Sequence, residues 1–89
     1  MKTTFKHAIQ LYGKDMQLNI AVEEFAELTK EICKHKRGAD NTESIVEEVA
    51  DCYIMLSQLE VIFDLSQETI NNAVQKKLMR LEDRIKETI

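Results

Sequence analysis

Eighty-nine residues, an apolar share of 44% and a net charge of −4 describe one small domain, residues 1–89, with a mildly acidic surface. Such a surface gives no reason to bind a nucleic-acid backbone, and no apolar run approaches the ~20 residues of a membrane span. No proline, only two glycines and no signal-peptide pattern lead to the expectation of an all-α, cytoplasmic protein. Cys33 and Cys52 match neither a disulfide framework nor a zinc spacing and read as reduced thiols among apolar residues.

In chain order, Thr3 to Tyr12 form a short amphipathic helix with Phe5, Ala8, Ile9 and Tyr12 on one side, ended by Gly13. A second helix starts near Asp15, a candidate cap, and runs to Lys36. Leu18, Ala21, Val22, Phe25, Leu28, Thr29 and Ile32 make its apolar face. Lys34, His35, Lys36 and Arg37 crowd its last turn, where cations suit the helix dipole, and Gly38 stops it. Asn41, Thr42 or Ser44 caps a third helix, Ser44 with Glu47 fitting a capping box, and that helix continues to about Phe63. Its stripe of Ile45, Val49, Cys52, Leu56, Leu59 and Ile62 is widened by Val46, Tyr53 and Met55, more than one packing partner needs. Ser66 caps a fourth helix over about 67–87, whose narrow seam is Ile70, Val74, Leu78, Leu81 and Ile85. The expected architecture is a short N-terminal helix plus three main antiparallel helices, completing a helical bundle by oligomerisation as a homodimer or homotetramer.

The acids of the second and third helices carry the chemistry. Glu24 and Glu27, and likewise Glu48 and Asp51, lie three residues apart, so each pair points one way from its helix. On a ~100° step Glu24 and Glu27 border the apolar face, and Glu48 falls among Cys52, Met55 and Leu59 with Asp51 at the edge. A single Glu-x-x-Glu in an acidic chain is usually a solvated face. Two such pairs bordering core faces across one turn instead converge on a shared volume, which like charges occupy only with a cation present. Oxygen-only ligation suits Mg²⁺, with Mn²⁺ as a substitute. No Glu-x-x-His pair supports a di-iron bundle, and His7 and His35 stand off the acids' spacing.

Glu23-Glu24-x-x-Glu27, a helix-turn spacer and Glu48-x-x-Asp51 together resemble the MazG-like all-α nucleoside triphosphate pyrophosphohydrolases. Tyr12-Gly13 followed by Gln17-Leu18 is similar to that family's lead-in, and Val74 to Arg80 to its lysine-bearing stretch. The resemblance spans roughly residues 10–84. It implies Mg²⁺ held by Glu24, Glu27, Glu48 and Asp51, and hydrolysis of an NTP or dNTP to the monophosphate and pyrophosphate. It also implies phosphate contact from Lys77, and subunits assembled with sites near an interface. Lys76 stands where family members often have Asn. Arg80, three residues from Lys77, and Gln17 complete the candidate substrate-binding set, and Glu23 or Glu27 is the candidate general base. Two alternatives accompany this reading: a non-catalytic helical interaction or regulatory module built on the fourth helix, and a related phosphoribosyl-nucleotide pyrophosphohydrolase.

Overall fold

Three interruptions divide a chain otherwise made of helix formers, and the structure, a computed structural model describing residues 1–89, turns at each of them. The helices are α1 (Lys2–Tyr12), α2 (Lys14–Lys36), α3 (Thr42–Ile62) and α4 (Gln67–Thr88), with no strand. The all-α expectation and the helix bounds hold to within a residue or two.

Each interruption has its own chemistry. Gly13 takes φ 90° and ψ 151°, a region essentially closed to residues with a Cβ, so α2 starts directly after α1 ends. Asp15 therefore lies in the first turn of α2, and Gly13 occupies the cap position expected for it. At the end of α2, Gly38 has φ 99°; its N–H donates to the His35 carbonyl, and the Ala39 N–H donates to the Lys34 carbonyl. That pair of bonds is a Schellman ending. The same pattern closes α3, where Asp64 sits at φ 51°, the Asp64 N–H reaches the Val61 carbonyl and the Leu65 N–H the Glu60 carbonyl. Short polar side chains tolerate that conformation better than most.

The helix starts differ too. Ser66 caps α4 as expected, its hydroxyl accepting from the Thr69 N–H at 3.0 Å. Asn41 holds the cap position of α3, yet it makes no cap bond and the Ser44–Glu47 box does not form. The Asn41 side-chain amide instead donates to the Glu31 carbonyl at 2.9 Å and to its carboxylate at 3.0 Å, tying the start of α3 to the end of α2.

Helices α2 and α3 pack antiparallel, and α1 lies against both. The fully buried residues are Gln17 and Ala21 of α2 with Cys52, Met55 and Gln58 of α3. Leu18, Phe25, Leu28, Ile45, Val49, Leu59 and Ile62 are half-buried, as are Phe5, Ala8 and Ile9 of α1. The expected faces are thus narrower than drawn. Val22, Thr29 and Ile32 on α2, and Val46, Tyr53 and Leu56 on α3, remain exposed, because α1 is short and α4 does not pack against the pair, so part of each apolar arc stays uncovered. Tyr12 is also exposed, at the corner where the chain reverses.

Helix α4 departs most from expectation. None of its residues brings a Cα within 8 Å of α1, α2 or α3, so the third antiparallel neighbour is missing within the chain. The radius of gyration is 16.3 Å, against about 12 Å for a compact domain of this length. The accessible surface is 7279 Å², against about 5,400 Å² for a folded monomer of this mass. No helix is long and apolar enough to cross a membrane.

A Cβ added at Gly13 would meet nothing within 4 Å, so the residue is needed for its backbone alone. Gly13→Ala is expected to lose about 1–3 kcal/mol in urea unfolding, with no change in core packing.

Candidate metal centre

The antiparallel pairing of α2 and α3 sets Glu24 opposite Glu48 and Asp51, about midway along the seam. One carboxylate oxygen from each lies within 4.8 Å of the others. Glu24 and Glu48 are half-buried and Asp51 is exposed, so the cluster is walled by the seam and open on one side. Directly beneath it, the buried Cys52 thiol donates to the Glu24 carbonyl at 3.5 Å.

The electrostatics follow from that crowding. Burial is the leading cause that holds the Glu24 carboxyl above its ordinary value of 4.5, followed by the negative charges of Asp51 and Glu48. Burial, and then the same three carboxylates, raise the Cys52 thiol. One oxygen of Glu24 and one of Glu48 are shut off from solvent without a hydrogen-bond donor. No basic group stands by to pair them: the chain's ion pair, Lys34 with Glu31 at 3.5 Å, lies two turns further along α2. A buried carboxylate oxygen without a donor is costly unless it is protonated or bound to a cation.

The residues therefore fit a hard divalent ion. Two oxygens on opposite sides of one Mg²⁺ stand ~4.2 Å apart at its usual ~2.1 Å bond length. The clustered oxygens, within 4.8 Å of one another, span a space of that order.

Not every expected residue joins them. Glu27, one turn beyond Glu24, is exposed and outside the clustered set, and Glu23 is exposed as well. Lys77 and Arg80 ride on α4, which does not approach the acids within the chain. Gln17 is a correction. It is 4% exposed and its amide nitrogen donates to the Gln58 oxygen at 2.6 Å, so it has no surface to offer a substrate. Sequence reasoning missed Gln58 and the Asn41 contact. The available signal was the seven-residue spacing of Gln17, Glu24 and Glu31, which puts three polar groups on the packing face of α2.

The chain matches no protein-family model, no curated protein and no solved structure.

A titration test follows from the raised Glu24. The folded state holds that proton more tightly than the unfolded chain, so without divalent ions stability falls as pH rises above about 4.5. Glu24→Gln removes the effect: its Tm should exceed that of the parent at pH 7, and the gain should vanish below pH ~4, where the parent carboxyl is protonated in both states. Mg²⁺ should raise the Tm of the parent and leave that of the variant in place.

Proposed function

We propose that the protein is a Mg²⁺-dependent nucleotide pyrophosphohydrolase, cleaving an NTP or dNTP to the monophosphate and pyrophosphate. One observation carries the reading: two carboxylate oxygens, from Glu24 and Glu48, are buried without donors beside a third acid in a cleft with no cation of its own. The resemblance of the acidic blocks to the MazG-like family supplies the substrate class. A cytoplasmic setting accords with such a substrate.

In this reading Glu24, Glu48 and Asp51 hold the ion, with Glu27 available at the open edge. A bound divalent ion would supply charge neutralisation for the leaving pyrophosphate and a position for the attacking water. Glu23 and Glu27 lie four residues apart on the same exposed side of α2, placed to take a proton from that water and pass it to solvent. Lys77 and Arg80 reach a triphosphate from a second copy, since their own helix stands clear of the site.

That last role requires an oligomer, and the surface supports one. The chain exposes roughly 1,900 Å² more than a compact monomer of its mass, above the ~800 Å² each partner buries in an ordinary interface. Val74, Leu78, Leu81 and Ile85 of α4 are each between 43% and 49% exposed in one row, and Val46, Tyr53, Ile54 and Leu56 extend the apolar surface on α3. A homodimer or homotetramer in which α4 packs on another copy's α3 covers both. The same row of α4 also favours a second reading, a helical interaction module with no chemistry of its own.

Pyrophosphate release separates the two. With Mg²⁺ and a panel of NTPs, dNTPs and phosphoribosyl-nucleotides, the purified protein should release pyrophosphate and lose that activity in EDTA. Glu48→Gln should cost at least ~100-fold in kcat/KM, a loss of ~2.7 kcal/mol of transition-state stabilisation. Activity untouched by EDTA would remove the metal from the mechanism. Cleavage confined to phosphoribosyl-nucleotides would keep the chemistry and change the substrate. Sedimentation should show an oligomer that Leu78→Glu with Leu81→Glu converts to monomers, with activity lost alongside.

A further inference from the structure

Polar side chains cross the α2/α3 seam at three levels. Gln17, Glu24 and Glu31 are seven residues apart on α2. Opposite them on α3 stand Gln58, the pair Asp51 and Glu48, and Asn41, with seven residues from Gln58 to Asp51 and from Glu48 to Asn41. Seven residues are almost two full turns, or about 10.5 Å of rise, so the levels repeat along one face of each helix. The outer levels are hydrogen-bonded, Gln17 to Gln58 at 2.6 Å and Asn41 to Glu31 at 2.9 and 3.0 Å. The middle level holds the acids.

The two ends are secured differently. Near Asn41 the short connection 37–41 ties α2 to α3 covalently. Beyond the acids nothing covalent joins the two helices, and the Gln17–Gln58 bond is the one side-chain hydrogen bond between them there. Around it, Ala21 and Met55 are buried and non-directional, and their contacts tolerate sliding. Repulsion in the middle level pushes the same end apart. Both amides are nearly sealed, at 4% and 5% exposure, so a slide leaves two buried polar groups unpaired. A single buried polar contact sets axial register in paired helices by this logic.

We infer that Gln17 and Gln58 are positioning residues, whose buried amide pair locks the register of α2 on α3 that brings Glu24 across from Glu48 and Asp51. The inference rests on the metal-site reading for its consequence, and on the Cys52–Glu24 contact for a readout independent of any ion. An axial slide by one residue's rise, about 1.5 Å, is already enough to take the Glu24 carboxylate out of line with Glu48 and Asp51. It also pulls the Glu24 carbonyl away from the Cys52 thiol, which the correct register holds buried.

The test uses the full chain in a Cys33→Ser background, so that Cys52 is the one thiol. Mn²⁺ affinity is measured from loss of the free-ion EPR signal, and Cys52 exposure from its rate with an aromatic disulfide reagent. Gln17→Met with Gln58→Met keeps side-chain length and removes the polar pair. It should stay helical by circular dichroism, bind Mn²⁺ at least tenfold more weakly and expose Cys52 at least tenfold faster. Gln58→Glu keeps an acceptor for the Gln17 amide and should preserve both readouts. If the double variant holds Mn²⁺ and protects Cys52 as the parent does, the positioning role is refuted. If Gln58→Glu and Gln58→Met damage both readouts equally, packing alone explains the pair and the role is likewise refuted; this comparison decides the matter should the double variant not fold. A parent that binds no Mn²⁺ overturns the metal reading, and the Cys52 rates then decide the register lock by themselves.

Discussion

Three carboxylates held within 4.8 Å on facing helices are the constraint that the rest of the structure accommodates. Like charges at that spacing oppose the packing of α2 against α3, and the proximity of apolar side chains strengthens the repulsion by lowering the local dielectric. The fold meets this locally. Glu24 takes up its proton more readily, the Cys52 thiol resists losing its own, and hydrogen-bonded side chains bracket the acids on both sides. A helix pair selected for stability alone would carry leucine at these positions. Acids placed there at a cost to packing are the expected mark of a functional site.

The second constraint is a shortage of core. Five residues of eighty-nine are fully buried, and two of those are glutamines. A three-helix unit of this kind buries too little apolar area to offset the entropy of ordering its chain by a wide margin. The apolar row on α4 and the uncovered side of α3 are the unused reserve. In the proposed oligomer, site and assembly would be linked, since α4, whose apolar row is uncovered, also carries Lys77 and Arg80.

Much of this was legible in the sequence because helices obey one period. The scarcity of glycine and proline marks the four elements, and spacing by three places Glu24, Glu27, Glu48 and Asp51 beside core faces. The rest turned on partners, which periodicity does not name. The apolar arc of α3 was visible, but whether its outer side meets α4 of the same chain is a matter of tertiary packing. Glu27 shares a side of α2 with Glu24, yet one turn of rise carries it past the facing acids. Gln17 reads as a surface or ligand-contacting residue because most glutamines are exposed, and its burial depends on Gln58, forty-one positions away. Asn41 had the identity of a helix cap, but its Nδ2 donates to Glu31 and that orientation leaves the Oδ1, the atom a cap would use, buried without a donor.

The distribution of basic side chains shows that the acidic cluster is not an ion-pair network. The chain has twelve lysines and arginines, enough to neutralise every acid in the seam. An Arg at the level of Glu24 would have paired with two carboxylates at once and removed the repulsion. Instead the chain forms a single ion pair, on Glu31, and that acid's pKa is lowered chiefly by the Asn41 amide, with Lys34 contributing after it. Glu24 is shifted the opposite way seven residues earlier on the same helix. Two glutamates on one face therefore differ in sign because one has donors, while the other is desolvated and then crowded by acids. A seam that keeps its basic side chains away from its most crowded carboxylates leaves room for a positive charge from outside the chain, and in the proposed reading a small divalent cation takes that place, its charge and oxygen preference matching the donors.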